Sequence, residues 1–223
     1  MPRVDLTESS VDDLTYRAFD SVRTVVETGG ANLSSENTFR FLFAWELGRL
    51  LEFAPSYRVD FDAVVFARAE TDDRFLDLLV WTDPQYKIAY EFKLPTRRTS
   101  GSNTPQTRAK ICRDIARLTY LVMNEAFSVK VGYFLCATNE GSYLVQGNKK
   151  EHLQYRTHHG VVYQPGIILE AGQLPNGIPR PLAFPQHEIR FIWEGMKETG
   201  VLSQRLAPKG KYAWLRPIKI YWA

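Results

Sequence analysis

The chain has 223 residues, 44% of them hydrophobic, which suits one globular domain with an ordinary core. Its net charge of +3 is compatible with a phosphate-rich partner but does not require one. No apolar run is long enough to span a membrane, and the first residues lack the apolar core of a signal peptide. Cys112 and Cys136 have the spacing of neither a disulfide framework nor a zinc site, so we expect a cytoplasmic protein without a membrane partner.

Two helices are predicted at the start of the chain. Apolar residues recur at helical spacing over residues 11–28, and Gly29 and Gly30 end that pattern. A second helix is predicted over residues 36–53, where Ser35 is a suitable cap. Glu46 lies beside the apolar stripe of this helix and has two interpretations. It either pairs with a nearby arginine at the surface or points toward a site formed by the strands that follow.

Three strands in a meander follow, over residues 58–68, 74–82 and 86–94. Asp83, Pro84 and Gln85 form the turn between the second and third strands, because Asp favours the start of a turn and Pro has a fixed φ. These two strands are mostly apolar, and they are interrupted by Asp77, Glu91 and Lys93.

The spacing of these three residues places them on one face of the hairpin. Asp77 and Glu91 are each seven residues from Pro84. A turn centred there makes them a directly opposed pair, with Cβ atoms about 5 Å apart. Lys93 is two residues beyond Glu91, so its side chain points to the same face.

Two opposed carboxylates repel each other, and a divalent cation such as Mg²⁺ removes that cost because it prefers oxygen ligands. A lysine beside them can orient a water molecule, which is the arrangement used for metal-assisted phosphodiester hydrolysis. A second interpretation stays open. In it Asp77 caps a bulge, Glu91 pairs with Lys93 or an arginine, and nothing is catalysed.

A polar loop over residues 94–104 carries Arg97 and Arg98, and a helix is predicted over residues 106–125. The polar face of this helix includes Gln106 and Lys110, and it is either an exposed ion-pair network or a basic surface that contacts phosphate. A buried strand is predicted over residues 129–138.

Beyond residue 139 the pattern is weaker. Residues 147–150 form a basic loop that contains Lys149, and residues 161–169 indicate a strand broken at Pro165 and Gly166. Residues 188–198 fit a short strand or helix. The last residues, 209–223, mix basic and aromatic side chains, which suits a strand that closes the core or lies along nucleic acid.

The order of helix, three-strand meander, helix and strand, with Asp77 followed by Glu91-Phe92-Lys93, resembles the PD-(D/E)XK nuclease superfamily. The resemblance covers residues 36–138, and Leu76 stands where the name of the superfamily has proline. It implies an α/β fold with a restriction-endonuclease-like core, in which helices flank a mixed sheet. The whole chain, residues 1–223, is then a single nuclease domain, and residues 139–223 are an elaboration of that core.

By the same resemblance, Asp77 and Glu91 bind Mg²⁺, for which Mn²⁺ substitutes, and Glu46 is the acidic residue of the first helix. Lys93 positions the attacking water and stabilises charge on the phosphate. The helix after the third strand contributes Gln106 or Lys110. The phosphate backbone of DNA is held by basic residues, for which the candidates are Arg97, Arg98, Lys110 and Lys149.

The leading functional prediction is a metal-dependent DNA endonuclease, either restriction-like, for which a homodimer is usual, or associated with defence or phage. The alternative is a catalytically inactive module of the same fold that binds nucleic acid or serves in assembly. A third reading is a protein of another fold in which the Glu-x-Lys pattern is accidental.

Overall fold

The computed structural model describes residues 8–52, 56–64, 75–83, 85–96, 104–146, 155–173, 179–195 and 212–222. Over these residues the protein is an α/β structure in which helices flank a mixed six-stranded sheet. The helices are α1 (Glu8–Glu27), α2 (Glu36–Leu50) and α3 (Thr104–Met123). The strands are β1 (Arg58–Val64), β2 (Phe75–Asp83), β3 (Tyr86–Lys93), β4 (Val129–Thr138), β5 (Val162–Tyr163), β6 (Ile168–Gln173), β7 (Pro179–Ala183), β8 (Ile189–Arg190), β9 (Trp193–Glu194) and β10 (Ala213–Tyr221). No helix within these ranges combines the length and apolarity needed to cross a bilayer.

The main sheet has the strand order β1-β2-β3-β4-β10-β9. Neighbouring strands run antiparallel except β3 and β4, which are parallel. A parallel pair needs a crossover connection, and α3 lies between these two strands in the chain. Two small sheets, β5 with β8 and β6 with β7, come from the C-terminal part.

Hydrophobic cores lie on both faces of the main sheet. On one face α1 and α2 pack against side chains that include Tyr90 and Trp214, and on the other α3 packs against side chains that include Phe134 and Leu215. The ring centroid of Phe39 in α2 is 5.2 Å from that of Phe92 and 5.9 Å from that of Trp214. These edge-on contacts fix α2 over the middle of the sheet, next to the charged end of β3.

The predicted register of the β2–β3 hairpin is confirmed between Leu78 and Trp81, but the register shifts after Trp81, and the expected pair of Asp77 with Glu91 is not among its pairs. Leu78 faces Tyr90, Val80 faces Ile88 and Trp81 faces Lys87, each pair placed symmetrically about position 84. Over these pairs alternate side chains point to opposite faces as expected. Leu76 and Leu78, however, lie in the cores on opposite faces of the sheet, so the alternation breaks at Asp77. Pro84 itself lies outside the described residues.

The structure of the C-terminal part shows which elements form where the sequence left more than one interpretation open. Residues 161–169 form two separate strands, with Gly166 between them at a φ of 65°, which favours glycine. The region 188–198 contains the short strands β8 and β9. β10 pairs with β4 in the main sheet, so this end of the chain closes the core, and a register shift between Leu215 and Ile218 accommodates Pro217.

Candidate functional site

Asp77, Glu91 and Lys93 come together where β3 ends. Oδ2 of Asp77 accepts the backbone N–H of Phe92, the residue between Glu91 and Lys93, at 2.8 Å. Asp77 therefore uses its side chain to continue the ladder beyond the Leu78–Tyr90 pair. This bond ties the β2 carboxylate to the stretch of β3 that carries the other two side chains.

The ammonium of Lys93 lies between two carboxylates from different helices. Its Nζ is 2.9 Å from Oδ2 of Asp114 in α3 and 3.3 Å from Oε1 of Glu36 in α2. Burial alone lowers the pKa of Lys93, but the charges of Asp114, Glu36 and the nearby Asp77 and Glu91 outweigh it and raise that pKa. Lys93 is therefore a fixed positive charge at neutral pH and not a general base.

Glu91 is completely buried and only half paired. Its Oε2 accepts a hydrogen bond from Nη2 of Arg117 at 2.5 Å, whereas its Oε1 is buried and has no hydrogen-bond partner. Burial raises the pKa of Glu91 well above its ordinary value, Arg117 opposes the shift, and Asp77 adds to it. A cation near Oε1 would favour the ionised form.

Asp77 has a similar arrangement. While its Oδ2 is held by the N–H of Phe92, its Oδ1 receives only a 3.3 Å contact from Nη1 of Arg40. The same Arg40 nitrogen makes a shorter bond, 2.6 Å, to Asp62 in β1. Asp77 and Glu91 thus each have one oxygen fixed by a strong donor and one that is weakly bonded or unbonded.

The cluster as a whole contains more acid than base. Five carboxylates, those of Glu36, Asp62, Asp77, Glu91 and Asp114, share three cationic groups, those of Arg40, Lys93 and Arg117. Several of these side chains are buried, so solvent screens their repulsion poorly. When all five carboxylates are ionised, the surplus of negative charge favours a further cation.

Within the described ranges no group of three or more His, Cys, Asp or Glu side chains is arranged to hold a metal ion. Mg²⁺, however, is usually bound through one or two carboxylates, with waters and substrate phosphates supplying its other ligands. Asp77 and Glu91 are two carboxylates that could supply such ligands, and the unpaired Oε1 of Glu91 is a hard oxygen of the type that the ion prefers.

A scan of protein-family models, a search of curated proteins and a search of solved structures each found no match to this chain. The case for a function therefore depends on the geometry and charge of the cluster itself.

The other residues singled out by the sequence lie elsewhere or outside the described residues. Glu46 is in α2, but its carboxylate is paired with Arg49 at 2.8 Å. Gln106 and Lys110 are exposed on α3, and no described contact joins them to the cluster. Arg97, Arg98 and Lys149 lie outside the described residues.

The sequence did not predict that side chains of α2 and α3 pair with the charged residues of β3. Asp114 and Arg117 are not part of an exposed network, because Asp114 is buried and both side chains point to β3, where they pair with Lys93 and Glu91. Glu36 comes from the first turn of α2, where its neighbour Ser35 caps the helix by accepting the N–H of Thr38. Asp114 and Arg117 adjoin the apolar positions of α3, and charged residues at such positions were the sequence signal that they point inward.

The positions of the two α2 glutamates lead to a first prediction. If the cluster hydrolyses phosphodiesters, Glu36→Gln should lower the rate by about ten- to a hundredfold, because Glu36 holds Lys93 in place. Glu46→Gln should leave the rate within about twofold, since Glu46 contacts Arg49 instead. Initial rates of plasmid nicking measure both, and the reverse order of effects would favour Glu46 as the site residue.

A second prediction concerns stability and pH. An unfolded glutamate has a pKa of about 4.3, and the pKa of Glu91 is raised in the folded protein. Above pH of about 4.3 the folded state therefore keeps a proton that the unfolded state has lost, and stability falls as pH rises, by at most about 1.4 kcal/mol per pH unit. The Glu91→Gln variant has no titrating carboxyl at this position, so its stability lacks this dependence on pH.

Urea unfolding of the wild type and Glu91→Gln at several pH values checks the sign. The difference in free energy of unfolding, variant minus wild type, should increase between about pH 5 and about pH 8. A difference that stays constant over that range would show that the pairing with Arg117 dominates and that the pKa of Glu91 is not raised.

Proposed function

We propose that the protein is a metal-dependent nuclease that hydrolyses phosphodiester bonds, with DNA as its substrate. The observation that carries this proposal is the half-paired Glu91. It is a fully buried carboxylate with one oxygen held by Arg117 and the other without a partner, beside Asp77 and a protonated Lys93. A purely structural ion pair has no need to leave a buried acceptor unbonded.

The arrangement of elements also supports the proposal. The succession α2, β1–β2–β3, α3 and β4 is the order that the resemblance to PD-(D/E)XK nucleases implies, and Asp77, Glu91 and Lys93 occupy its β2–β3 hairpin. The finer assignment to a restriction-endonuclease-like fold belongs to this proposal. A homodimer, as in restriction-like enzymes, remains a prediction within it.

Each residue then has a physical role. Asp77 and Glu91 would hold Mg²⁺ or Mn²⁺ through their less-bonded oxygens, while the N–H of Phe92 and the guanidinium of Arg117 keep the two carboxylates oriented. The chemistry that the bound ion supplies is activation of a water molecule and neutralisation of phosphate charge.

Lys93 contributes a fixed charge. Because Asp114 and Glu36 hold its ammonium and keep it protonated, it can orient an attacking water and stabilise negative charge that develops on the phosphate. It cannot accept a proton at neutral pH. Gln106 and Lys110 on the exposed part of α3, together with Arg97, Arg98 and Lys149, are the proposed contacts to the DNA backbone.

A second candidate is an inactive module of the same fold that binds nucleic acid. It is favoured by one observation, namely that Arg117 and Arg40 already contact Glu91 and Asp77, as expected where arginines replace a metal. Such a module should bind DNA in a salt-sensitive way without divalent ions and never cleave it.

The deciding experiment incubates the purified protein with supercoiled plasmid, with Mg²⁺, with Mn²⁺ and with EDTA. We expect nicked or linear DNA with either ion, none with EDTA, and none from Lys93→Ala. Discrete fragments would indicate sequence specificity and a smear would indicate a nonspecific nuclease. Intact plasmid under every condition, with DNA binding retained, would support the inactive module instead.

A further inference from the structure

A second charged feature lies near the start of α3, where Arg108 is completely buried. Its Nη2 donates to the backbone carbonyl oxygens of Ser142 and Val145, the latter at 3.0 Å. Its Nε and Nη1 are buried and have no hydrogen-bond partner, and no carboxylate in the described part of the chain pairs with it. A buried cation without a counter-charge is costly, so this arrangement calls for an explanation.

Two further basic residues, Arg156 and His158, are neighbours of Thr157, which contacts the segment that Arg108 holds. Thr157, the residue between them, donates from its hydroxyl to the carbonyl oxygen of Tyr143 at 3.2 Å, and Tyr143 belongs to the turn that Arg108 holds. The guanidinium of Arg156 lies 5.7 Å from the ring centroid of Tyr163.

The side chains of Arg156 and His158 are half-buried, so the group reaches solvent through them. Nδ1 of His158 is buried and lacks a hydrogen-bond partner, as do the two nitrogens of Arg108. Burial lowers the pKa of His158, and the positive charges of Arg108 and Arg156 lower it further.

We propose that Arg108, Arg156 and His158 form a binding site for a phosphate group. Arg108 and His158 have buried nitrogens without a hydrogen-bond partner, and Thr157, which lies between Arg156 and His158, contacts the segment that Arg108 holds. No described ion pair joins an acid to these three residues, which distinguishes them from the Lys93 cluster, where acids are in surplus. A phosphate carries up to two negative charges near neutral pH and several acceptor oxygens, so it satisfies such donors better than chloride does.

The half-buried Arg156 and His158 make the direct contacts, and the charge of Arg108 behind them strengthens the attraction. The phosphate can belong to a nucleic-acid backbone or be free in solution, since both present negatively charged phosphoryl oxygens. The site does not involve Asp77, Glu91 or Lys93. Phosphate binding can therefore be shown or disproved whether or not the protein cleaves DNA with a metal ion.

The test measures binding without any divalent ion. Sodium phosphate is titrated into the protein in EDTA, with sodium chloride adjusted to keep ionic strength constant, and the melting temperature is recorded. We expect a saturable rise for the wild type and an affinity at least about tenfold weaker for Arg156→Gln and for His158→Gln, since each loses a hydrogen bond to a charged group.

Arg190→Gln is the matched control, because Arg190 is an exposed arginine paired with Glu188, and it should bind phosphate like the wild type. Arg108→Met is measured as well. If that variant does not fold, Arg156→Gln and His158→Gln still test the proposal, because they change half-buried residues. A rise no larger than that with chloride, or one that is unchanged in both Arg156→Gln and His158→Gln, would overturn the proposal.

A second arm identifies the source of the phosphate. Binding of a short DNA duplex is measured for the wild type and Arg156→Gln, with and without competing sodium phosphate. Weaker duplex binding by the variant, together with competition, supports the site and assigns it to the nucleic-acid backbone. Equal duplex binding, with the phosphate response still lost in Arg156→Gln, supports the site and assigns it to free phosphate.

Discussion

Glu91→Gln is expected to lower the rate of plasmid nicking in Mg²⁺ by about 10³-fold. A bound metal supplies several kcal/mol of charge stabilisation to phosphodiester hydrolysis, and each 1.4 kcal/mol corresponds to about a tenfold change in rate. Glutamine keeps the shape of the side chain and can still contact Arg117, but it removes the charge that would bind the ion. The fold should therefore survive while the chemistry is lost.

Two measurements accompany that rate. The melting temperature of the wild type should rise with Mg²⁺ because the ion binds the folded state, whereas that of Glu91→Gln should not respond. Glu188→Gln serves as the control, since Glu188 is a surface residue paired with Arg190. Full activity in Glu91→Gln would remove Glu91 from the catalytic machinery.

Lys93→Met is expected to lower the nicking rate by about 10²- to 10³-fold, the range found when one preorganised donor is removed from a site. Methionine keeps the apolar stem and removes the ammonium that lies between Asp114 and Glu36. Breaking this buried arrangement should also reduce the free energy of unfolding, by about 3 kcal/mol, which urea denaturation measures.

The response to Mg²⁺ separates the role of Lys93 from that of the carboxylates. Lys93→Met should keep a rise in melting temperature with Mg²⁺, because the ion is assigned to Asp77 and Glu91. Lys87→Met, at a position six residues earlier in β3, is the matched control and should nick plasmid at the wild-type rate. If Lys93→Met were as active as Lys87→Met, the ammonium would have no part in the reaction.

The sequence was sufficient to predict the β2–β3 hairpin because local rules determine it. The alternation of Leu78, Val80, Ile88 and Tyr90 with their neighbours specifies the buried face, and a turn centred on position 84 then specifies the register. The helical spacing of α1, α2 and α3 was equally local. The position of β10 beside β4 was open, since a strand with basic and aromatic residues also fits a surface role.

The partners of the three hairpin residues could not be predicted in the same way. Arg117 and Glu91 are separated by 26 positions in the chain, and they meet only because α3 crosses back over the sheet. Lys93 and Glu36 are separated by 57 positions. Pairings at this separation depend on how the helices pack, which hydrophobic spacing does not specify.

The choice between Glu36 and Glu46 illustrates the same limit. Both are acidic residues of α2, and the resemblance to PD-(D/E)XK nucleases assigned Glu46 to the site, while the residues alone left its pairing with an arginine open. In the structure the first turn of α2 lies beside the end of β3, so it is Glu36 that reaches Lys93. Which end of a helix meets a strand is a matter of tertiary packing.

A titration of Mn²⁺, followed by electron paramagnetic resonance, tests most directly whether Asp77 and Glu91 form a cation site. The free-ion signal reports how much metal each protein binds, and the wild type is compared with Asp77→Asn in the same buffer. We predict saturable binding by the wild type, displaced by Mg²⁺, with an affinity at least about tenfold weaker in Asp77→Asn. Equal binding by the two proteins, or none by the wild type, would contradict the assignment of these carboxylates to a metal.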